Sequence, residues 1–410
     1  MTTIVPTTEE DPTFAVVRFV SELAWADAGA EVAEPEVMRL CVEAQQCMVR
    51  GRWLDLASLI LTSADLIFHK VADKDLECIY SFICNLVTKS EDPDEVLEIV
   101  KLIAGSLSQK PTEKPALRVK LLFILYNLLE DAYCKFYVYL KALQLALRGN
   151  VTEHVTPSLK TIDTFLKEWN IEVQDQRQLF LTISKILKEN KSSAKDWFSF
   201  MAKYLATFSG DDTDAMSEAK EDAAHTVLEF VEAPDMFQCD LLDMPVVQQL
   251  EKDSQHSVAF ELLKIFSTDK LDAYLRIHAA NAAALESYGL VHEDCVAKMR
   301  MLSLVDLAAN GSGQIPYALI EETLQINDDE VELWVLKAIS AKLLDCKMDQ
   351  MNQVVIVKRY IERTFGQKQW ENIRTKLATW RANISNVVST IQAHKAVEGV
   401  AQGVQGLAVR

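Results

Sequence analysis

A chain of 410 residues with 49% hydrophobic content is long enough for two or three domains, or for one extended helical stack. Its net charge of −18 argues against free-standing affinity for nucleic acid or an anionic membrane surface. Eight scattered cysteines, with no pair at redox or zinc spacing, suit a reducing cytosol or nucleus as small core residues.

Met1–Asp11 is threonine-rich, lacks the basic and apolar regions of a secretory signal, and is expected to be flexible. A first helix is expected over Pro12–Asp27, with Gly29 and Pro35 marking a loop after it. From Pro35 to Leu290 the pattern is almost wholly helical, with no strand-like alternation. Predicted helices are Glu36–Val49, Trp53–Lys70, Lys74–Thr88, Pro93–Leu107, Pro115–Leu129, Ala132–Leu147, Pro157–Trp169, Asp175–Lys188 and Ser193–Phe208. Prolines open several of them, and Gly51 and Gly149-Asn150 close two. The lengths and short links predict a degenerate helical-repeat solenoid over residues 35–208. Acidic Gly210-Asp-Asp-Thr-Asp214 reads as a link, and helices resume at Met216–Glu232, Ser257–Ser267, Lys270–Ala279 and Ala282–Tyr288. No apolar run reaches the roughly 18 residues of a membrane span.

The region His292–Phe365 reads as a winged helix. A helix over His292–Ala309 stops at Asn310-Gly-Ser-Gly313, and Gln314-Ile315 extends into Pro316. Helices Tyr317–Leu324 and Asp329–Leu344 follow, the second opened by a capping box of Asn327 and Glu330. Cys346–Asp349 then pairs with Gln353–Val357 across a turn near Gln350–Asn352. The last helix, Gly366–His394, carries Trp370, Ile373, Leu377, Trp380, Ile384, Val387 and Ile391 in alternating steps of three and four, a heptad seam. Ala396–Arg410, with three glycines, is expected to be disordered.

Val291-His-Glu-Asp-Cys-Val-Ala-Lys-Met-Arg-Met-Leu302, Leu324-Gln-Ile326, Asp329-Glu-Val331, Arg363-Thr-Phe-Gly366, Gln369-Trp370 and upstream Leu117-Arg-Val-Lys-Leu-Leu122 carry a resemblance. They resemble the PCI-domain family, the winged-helix-plus-helical-repeat module of the proteasome lid, the signalosome and eukaryotic translation initiation factor three, and within it the initiation factor's M-subunit branch. The similarity covers most of the chain and is weakest at Met1–Pro35 and Ala393–Arg410. It implies a mainly α fold: an N-terminal segment with one helix (1–34), the helical arm (35–208), a PCI domain (helical part 209–290, winged helix 291–365), a C-terminal bundle helix (366–394) and a tail (395–410). It also implies a cytoplasmic scaffold among PCI- and MPN-type subunits, working with the small ribosomal subunit to recruit messenger RNA and initiator methionyl-tRNA. The signalosome and the proteasome lid are the alternatives within the same class.

No catalytic signature is present: no phosphate loop, no Gly-x-Gly-x-x-Gly turn, no His-Glu-x-x-His, no isopeptidase His-x-His. No enzyme activity, cofactor or small-molecule substrate is expected. His292 and Cys295 share a helical turn but lack the further ligands that a metal site needs. Asp328-Asp329-Glu330 fits a helix start, where the macrodipole favours negative charge.

The helix that would read DNA, Asp329–Leu344, has no Arg, Asn or Gln, begins acidic and is apolar around most of its circumference. It is expected to be buried, either in its own domain or against a neighbour. A basic patch of Lys347, Lys358, Arg359, Arg363 and Lys368 suits an acidic partner, with weak RNA contact as the alternative. Two docking surfaces are therefore expected. Val354, Val355, Ile356 and Val357 form a strand that a partner could extend if it lies at a sheet edge. The terminal seam either folds back on the winged helix or joins a bundle of partner helices, and the family resemblance favours the bundle.

Overall fold

Residues 12–26, 30–189, 194–210, 212–310, 313–364 and 366–407 are described by the computed structural model. The expectations for Met1–Asp11, Asp27, Gly29, Ser193, Asp211, Gly311-Ser312, Phe365 and residues 408–410 lie outside them. The chain divides into two compact units, Met1–Ser209 and Gly210–Arg410.

In the first unit, consecutive helices pack on one another: Pro12–Ala24 with Ala30–Val49, Pro115–Leu128 with Ala132–Arg148, and Val173–Glu189 with Ala194–Leu205. Each hairpin also meets its neighbour. Trp53–Leu61 packs on Pro93–Ser108, Asp73–Asn85 on Pro115–Leu128, and Ala132–Arg148 on Val173–Glu189, which makes a stack of helix pairs. The helix starts have identifiable causes. Asp92 accepts from the Asp94 N–H just before Pro93, and Asp131 accepts from the Cys134 N–H. At the Arg148 end the left-handed residue is Asn150 (φ 52°), whereas Gly149 is needed for room. A Cβ there would lie 2.6 Å from the Pro115 Cβ and 2.8 Å from the Pro111 carbonyl. An aromatic cluster fills the interior beneath, with Tyr139 and Phe165 5.2 and 5.4 Å from Trp169.

Several expected boundaries shift. Pro35 does not mark a loop, because Ala30–Val49 runs through it. Near a helix start, proline forfeits a single backbone bond, and the long run beyond it retains the rest. Trp53–Lys70 breaks into Trp53–Leu61 and Ala64–Lys70, where the Thr62 hydroxyl bonds the Leu59 carbonyl at 2.6 Å in competition with the helical ladder. Pro157–Trp169 splits into Thr156–Leu159 and Ile162–Trp169. The acidic link holds a short helix, Thr213–Glu218. The expected break between Lys270–Ala279 and Ala282–Tyr288, by contrast, is present: Asn281 is non-helical (φ −129°, ψ 31°) and kinks Leu271–Ser287 there.

The second unit leads through Lys220–Glu232, Ser257–Thr268 and Leu271–Ser287 into a winged helix. Its elements are His292–Asn310, β1 (Gln314–Pro316), Tyr317–Leu324, Asp328–Ser340, β2 (Leu344–Asp349) and β3 (Val354–Tyr360). The third helix ends at Ser340 and not at Leu344. Lys342 takes a left-handed φ of 59°, which turns Leu343 and Leu344 into the core. Asn327 occupies the N-cap position without a side-chain bond, so the expected capping box does not form. The sheet is antiparallel in the order β1-β3-β2, with Ile315 and Met348 flanking Val355. Val355 and the helical residues Val331, Val335 and Ala338 are fully buried together. The last helix continues from Gln367 to Leu407, through the described part of the expected disordered tail. Its Ala, Val and Gln residues favour helix or tolerate it, and each glycine costs only about 1 kcal/mol relative to alanine.

Helix C-termini leave carbonyls without partners, and here cations from other elements take them up. Arg118 Nη1 donates to Leu107 O at 3.0 Å and Ser106 O at 3.4 Å, at the end of Pro93–Ser108, with its guanidinium 3.7 Å from the Phe68 ring centre. Lys298 Nζ donates to the Phe230 carbonyl and to Ala233 O at 2.8 Å, at the end of Lys220–Glu232. Arg300 donates to Leu324 O at 3.0 Å and Gln325 O at 3.1 Å. Arg177 donates to Thr207 O at 3.0 Å, just past Ala194–Leu205. The negative end of each helix dipole favours these positions.

Candidate functional site

The terminal helix begins where Gln369 Oε1 accepts the Gly366 N–H at 3.1 Å, a side chain reaching back to the N-cap. From Trp370 to Ile391 every residue is exposed or nearly so. The seam residues range from 37% exposed at Ile373 to 64% at Ile384, with Trp370 and Trp380 each at 63%. The alternative in which this helix folds back on the winged helix is not what the structure adopts. A heptad stripe that includes two tryptophans lies in the open, and soluble chains rarely leave so much contiguous apolar surface without a binding role.

The strand expected to dock at an edge lies elsewhere. β3 is the central strand, with β1 on one side and β2 on the other, so Val354–Val357 cannot be extended by a partner. Val355 is fully buried, Val354 and Val357 are half-buried, and Ile356 is 36% exposed. The edges are β1, only three residues long, and β2. β2 carries charged Asp345, Lys347 and Asp349 and a register irregularity between Asp345 and Cys346, features that discourage strand addition.

The basic patch also divides. Lys347, Lys358 and Arg359 are exposed on the wing, and the side chain of Lys368 lies outside the described residues. Arg363 is 7% exposed and faces inward. Its Nη1 meets Asp306 Oδ2 at 2.6 Å, Nη2 donates to Ile265 O at 2.7 Å, and Nε donates to Phe266 O at 3.0 Å. It therefore clasps the end of Ser257–Thr268 and is unavailable to a partner. Burial pushes the Asp306 carboxyl above its usual range, opposed by the Arg363 charge. The third helix of the winged fold is only half-buried, contrary to expectation: it buries Val331 and Val335 but leaves Leu333 and Leu336 51% and 49% exposed, opens with Asp328, Asp329 and Glu330, and holds Lys337 Nζ 4.1 Å from the Trp334 ring centre. That surface repels phosphate.

The site-like groups have structural partners. His292 Nδ1 lies 3.2 Å from the Tyr274 hydroxyl, and its ring is 3.8 Å from that of His278. Burial and the neighbouring His278 lower the His292 pKa. Burial raises the Cys295 thiol, so it is no ready nucleophile. Among the described residues no three His, Cys, Asp or Glu side chains converge as metal ligands would, and no helix is long and apolar enough to cross a membrane. The carbonyl-clasping cations Arg118, Lys298 and Arg300 lie within two of the resemblance segments, but sequence gives no sign of which carbonyls they reach.

A helical stack, a winged helix whose third helix is acidic at its start and half-buried, and a terminal helix with an exposed apolar stripe define a PCI-type protein with no nucleic-acid-reading surface among the described residues. The PCI domain model matches residues 254–359, and the model described as eIF3 subunit M, C-terminal helix, matches 363–391, ending at the last seam residue. A protein of Dictyostelium discoideum named eukaryotic translation initiation factor 3 subunit M is 34% identical over 349 residues, covering 84% of this chain and 86% of its own. Proteins of the same name from Gallus gallus and Homo sapiens are each 28% identical, covering 83% of this chain and 89% of theirs. The chain belongs to the eukaryotic translation initiation factor 3 subunit M family.

Proposed function

We propose that the chain is a non-catalytic scaffold subunit of translation initiation factor 3 in the cytoplasm. It joins PCI- and MPN-type subunits in an assembly that sits on the small ribosomal subunit and supports recruitment of messenger RNA and initiator methionyl-tRNA. Family membership favours this assembly over the signalosome and the proteasome lid. The observation that carries the reading is the uncovered seam from Trp370 to Ile391. Covering the two tryptophans alone removes on the order of 250 Å² of apolar surface, or roughly 6 kcal/mol before ordering costs. That supports entry into a bundle of partner helices.

Trp370→Ala with Trp380→Ala tests the proposal. Both side chains are largely exposed, so thermal melting should move by less than the equivalent of about 0.5 kcal/mol. Copurification of neighbouring initiation-factor subunits should fall sharply. Unchanged copurification with a large melting loss would reject the bundle. Weak RNA contact through exposed Lys347, Lys358 and Arg359 is a second reading, supported only by their position on the wing.

A further inference from the structure

The charges beside the seam restrict what can cover it. With Trp370, Leu377, Ile384 and Ile391 taken as heptad position a, and Ile373, Trp380 and Val387 as d, the e and g positions flank the contact line. Position e holds Arg374, Arg381 and Val388, and g holds Gln369, Lys376, Asn383 and Thr390. Every charge flanking the seam is therefore positive. Between 370 and 391 the only acidic residue is Glu371, at position b, in a chain whose net charge is −18. Arg374, Lys376 and Arg381 are all exposed, and none makes an ion pair among the described residues.

This distribution opposes self-association. In a parallel pair of identical helices, g of one heptad faces e of the next across the interface, which sets Lys376 against Arg381 twice. In an antiparallel pair e faces e and g faces g, so arginines and lysines oppose their own kind. Like charges placed across a docking seam suppress the wrong partner even where the apolar match is good.

Resting on the bundle reading, we propose that the terminal helix selects a heteromeric partner: an amphipathic helix with an apolar heptad seam flanked by Asp and Glu, and not a second copy of this chain. The apolar stripe supplies adhesion, and Arg374, Lys376 and Arg381 supply selection. Neither function needs the buried Arg363 or the third helix of the winged fold.

The test uses the purified full chain and two synthetic helical peptides of about four heptads, identical in an Ile/Leu seam. One has Glu at every e and g position and the other has Lys, and binding is read by fluorescence anisotropy. The Glu-flanked peptide should bind about ten- to a hundredfold more tightly at low salt, and the preference should shrink toward parity near 0.5 M salt. The triple variant Arg374→Glu, Lys376→Glu, Arg381→Glu should invert the preference without changing the melting of the chain, since all three side chains are exposed. Trp370→Ser with Trp380→Ser should abolish binding of both peptides. Equal binding of both peptides overturns the charge selection while leaving the bundle standing. Binding of neither overturns the bundle reading itself. A concentration-dependent dimer of the full chain in sedimentation, lost in the tryptophan variant, overturns the exclusion of a second copy.

Discussion

Replacing Arg363 with methionine separates a buried structural clasp from a surface contact. Methionine keeps much of the volume but donates nothing to Asp306 Oδ2, Ile265 O or Phe266 O, now reached at 2.6, 2.7 and 3.0 Å. Ile265 O retains the Asp269 N–H at 3.0 Å, so the Phe266 carbonyl and the Asp306 carboxylate lose most. Deleting one member of a buried ion pair costs about 3–5 kcal/mol. The Asp306 side chain is 23% exposed, which places the loss toward the lower half, about 3–4 kcal/mol. At 1.4 kcal/mol per decade, opening of the winged helix becomes two to three decades more frequent. Because the chain holds two compact units, one melting temperature would blend them. Hydrogen exchange by mass spectrometry resolves them: peptides over 257–268 and 354–360 should exchange faster, while those over 115–148 should not. Arg363→Met with Asp306→Leu should recover most of the loss. The pH dependence has a fixed sign. Between the unfolded and the raised folded pKa of Asp306 the native state holds the extra proton, so this group's contribution falls as pH rises through that window. Losing the guanidinium pushes the pKa higher still, so the variant's deficit should be larger at pH 7 than at pH 5. A loss below about 0.5 kcal/mol, as for an ordinary surface residue, would refute the clasp.

Lys298 gives an opposite pH dependence. Burial lowers its pKa from 10.5 to about 7, so between those values the unfolded chain binds a proton that the native state does not. Stability of the second unit should therefore rise from pH 7 to pH 9, by up to about 1.4 kcal/mol per unit, and Lys298→Met should lose this slope; a wild-type urea midpoint no more pH-sensitive than the variant's would count against it. On the wing, Lys347→Glu with Lys358→Glu and Arg359→Glu should leave copurification of partner subunits intact, because the seam is untouched. If the wing touches RNA, crosslinking in the assembled complex should drop and lose its steep salt dependence; unchanged crosslinking removes the RNA reading. Amides of 377–391 should exchange rapidly in the free chain and slowly in the assembled complex, since a helix with no packed face is marginal in water. Protection of that stretch in the free chain would contradict the uncovered seam.

Much of the winged helix was legible because its signals are local. Tyr317–Leu324 falls on its expected boundaries, and the Gln350–Asn352 turn separates β2 from β3 as the β-branched run suggested. The place of β3 was not legible. β1 spans only Gln314–Pro316, ends in a residue with no N–H to donate, and yet covers the side of β3 that the sequence left open. Nor could the sequence separate Arg363 from Lys358 and Arg359, since its partners Phe266 and Asp306 lie 97 and 57 residues away.

The contrast with the terminal helix explains why one candidate surface stays exposed and the other does not. A heptad period is a property of neighbouring residues, and it predicts exposure correctly only if no other part of the chain covers the stripe. Here the two seam tryptophans stay 63% exposed, so local pattern and tertiary outcome agree. The strand Val354–Val357 had an equally clear local signal, but a β-strand's availability depends on what pairs with it, and both neighbours came from the same chain. The buried cations invert the case again. Arg118, Lys298 and Arg363 look like surface charge in sequence, yet each closes the C-terminal end of another helix, Arg118 in the first unit and Lys298 and Arg363 in the second. The chain thus sets three of its cations inside, where they fix helix ends, and leaves its apolar stripe outside.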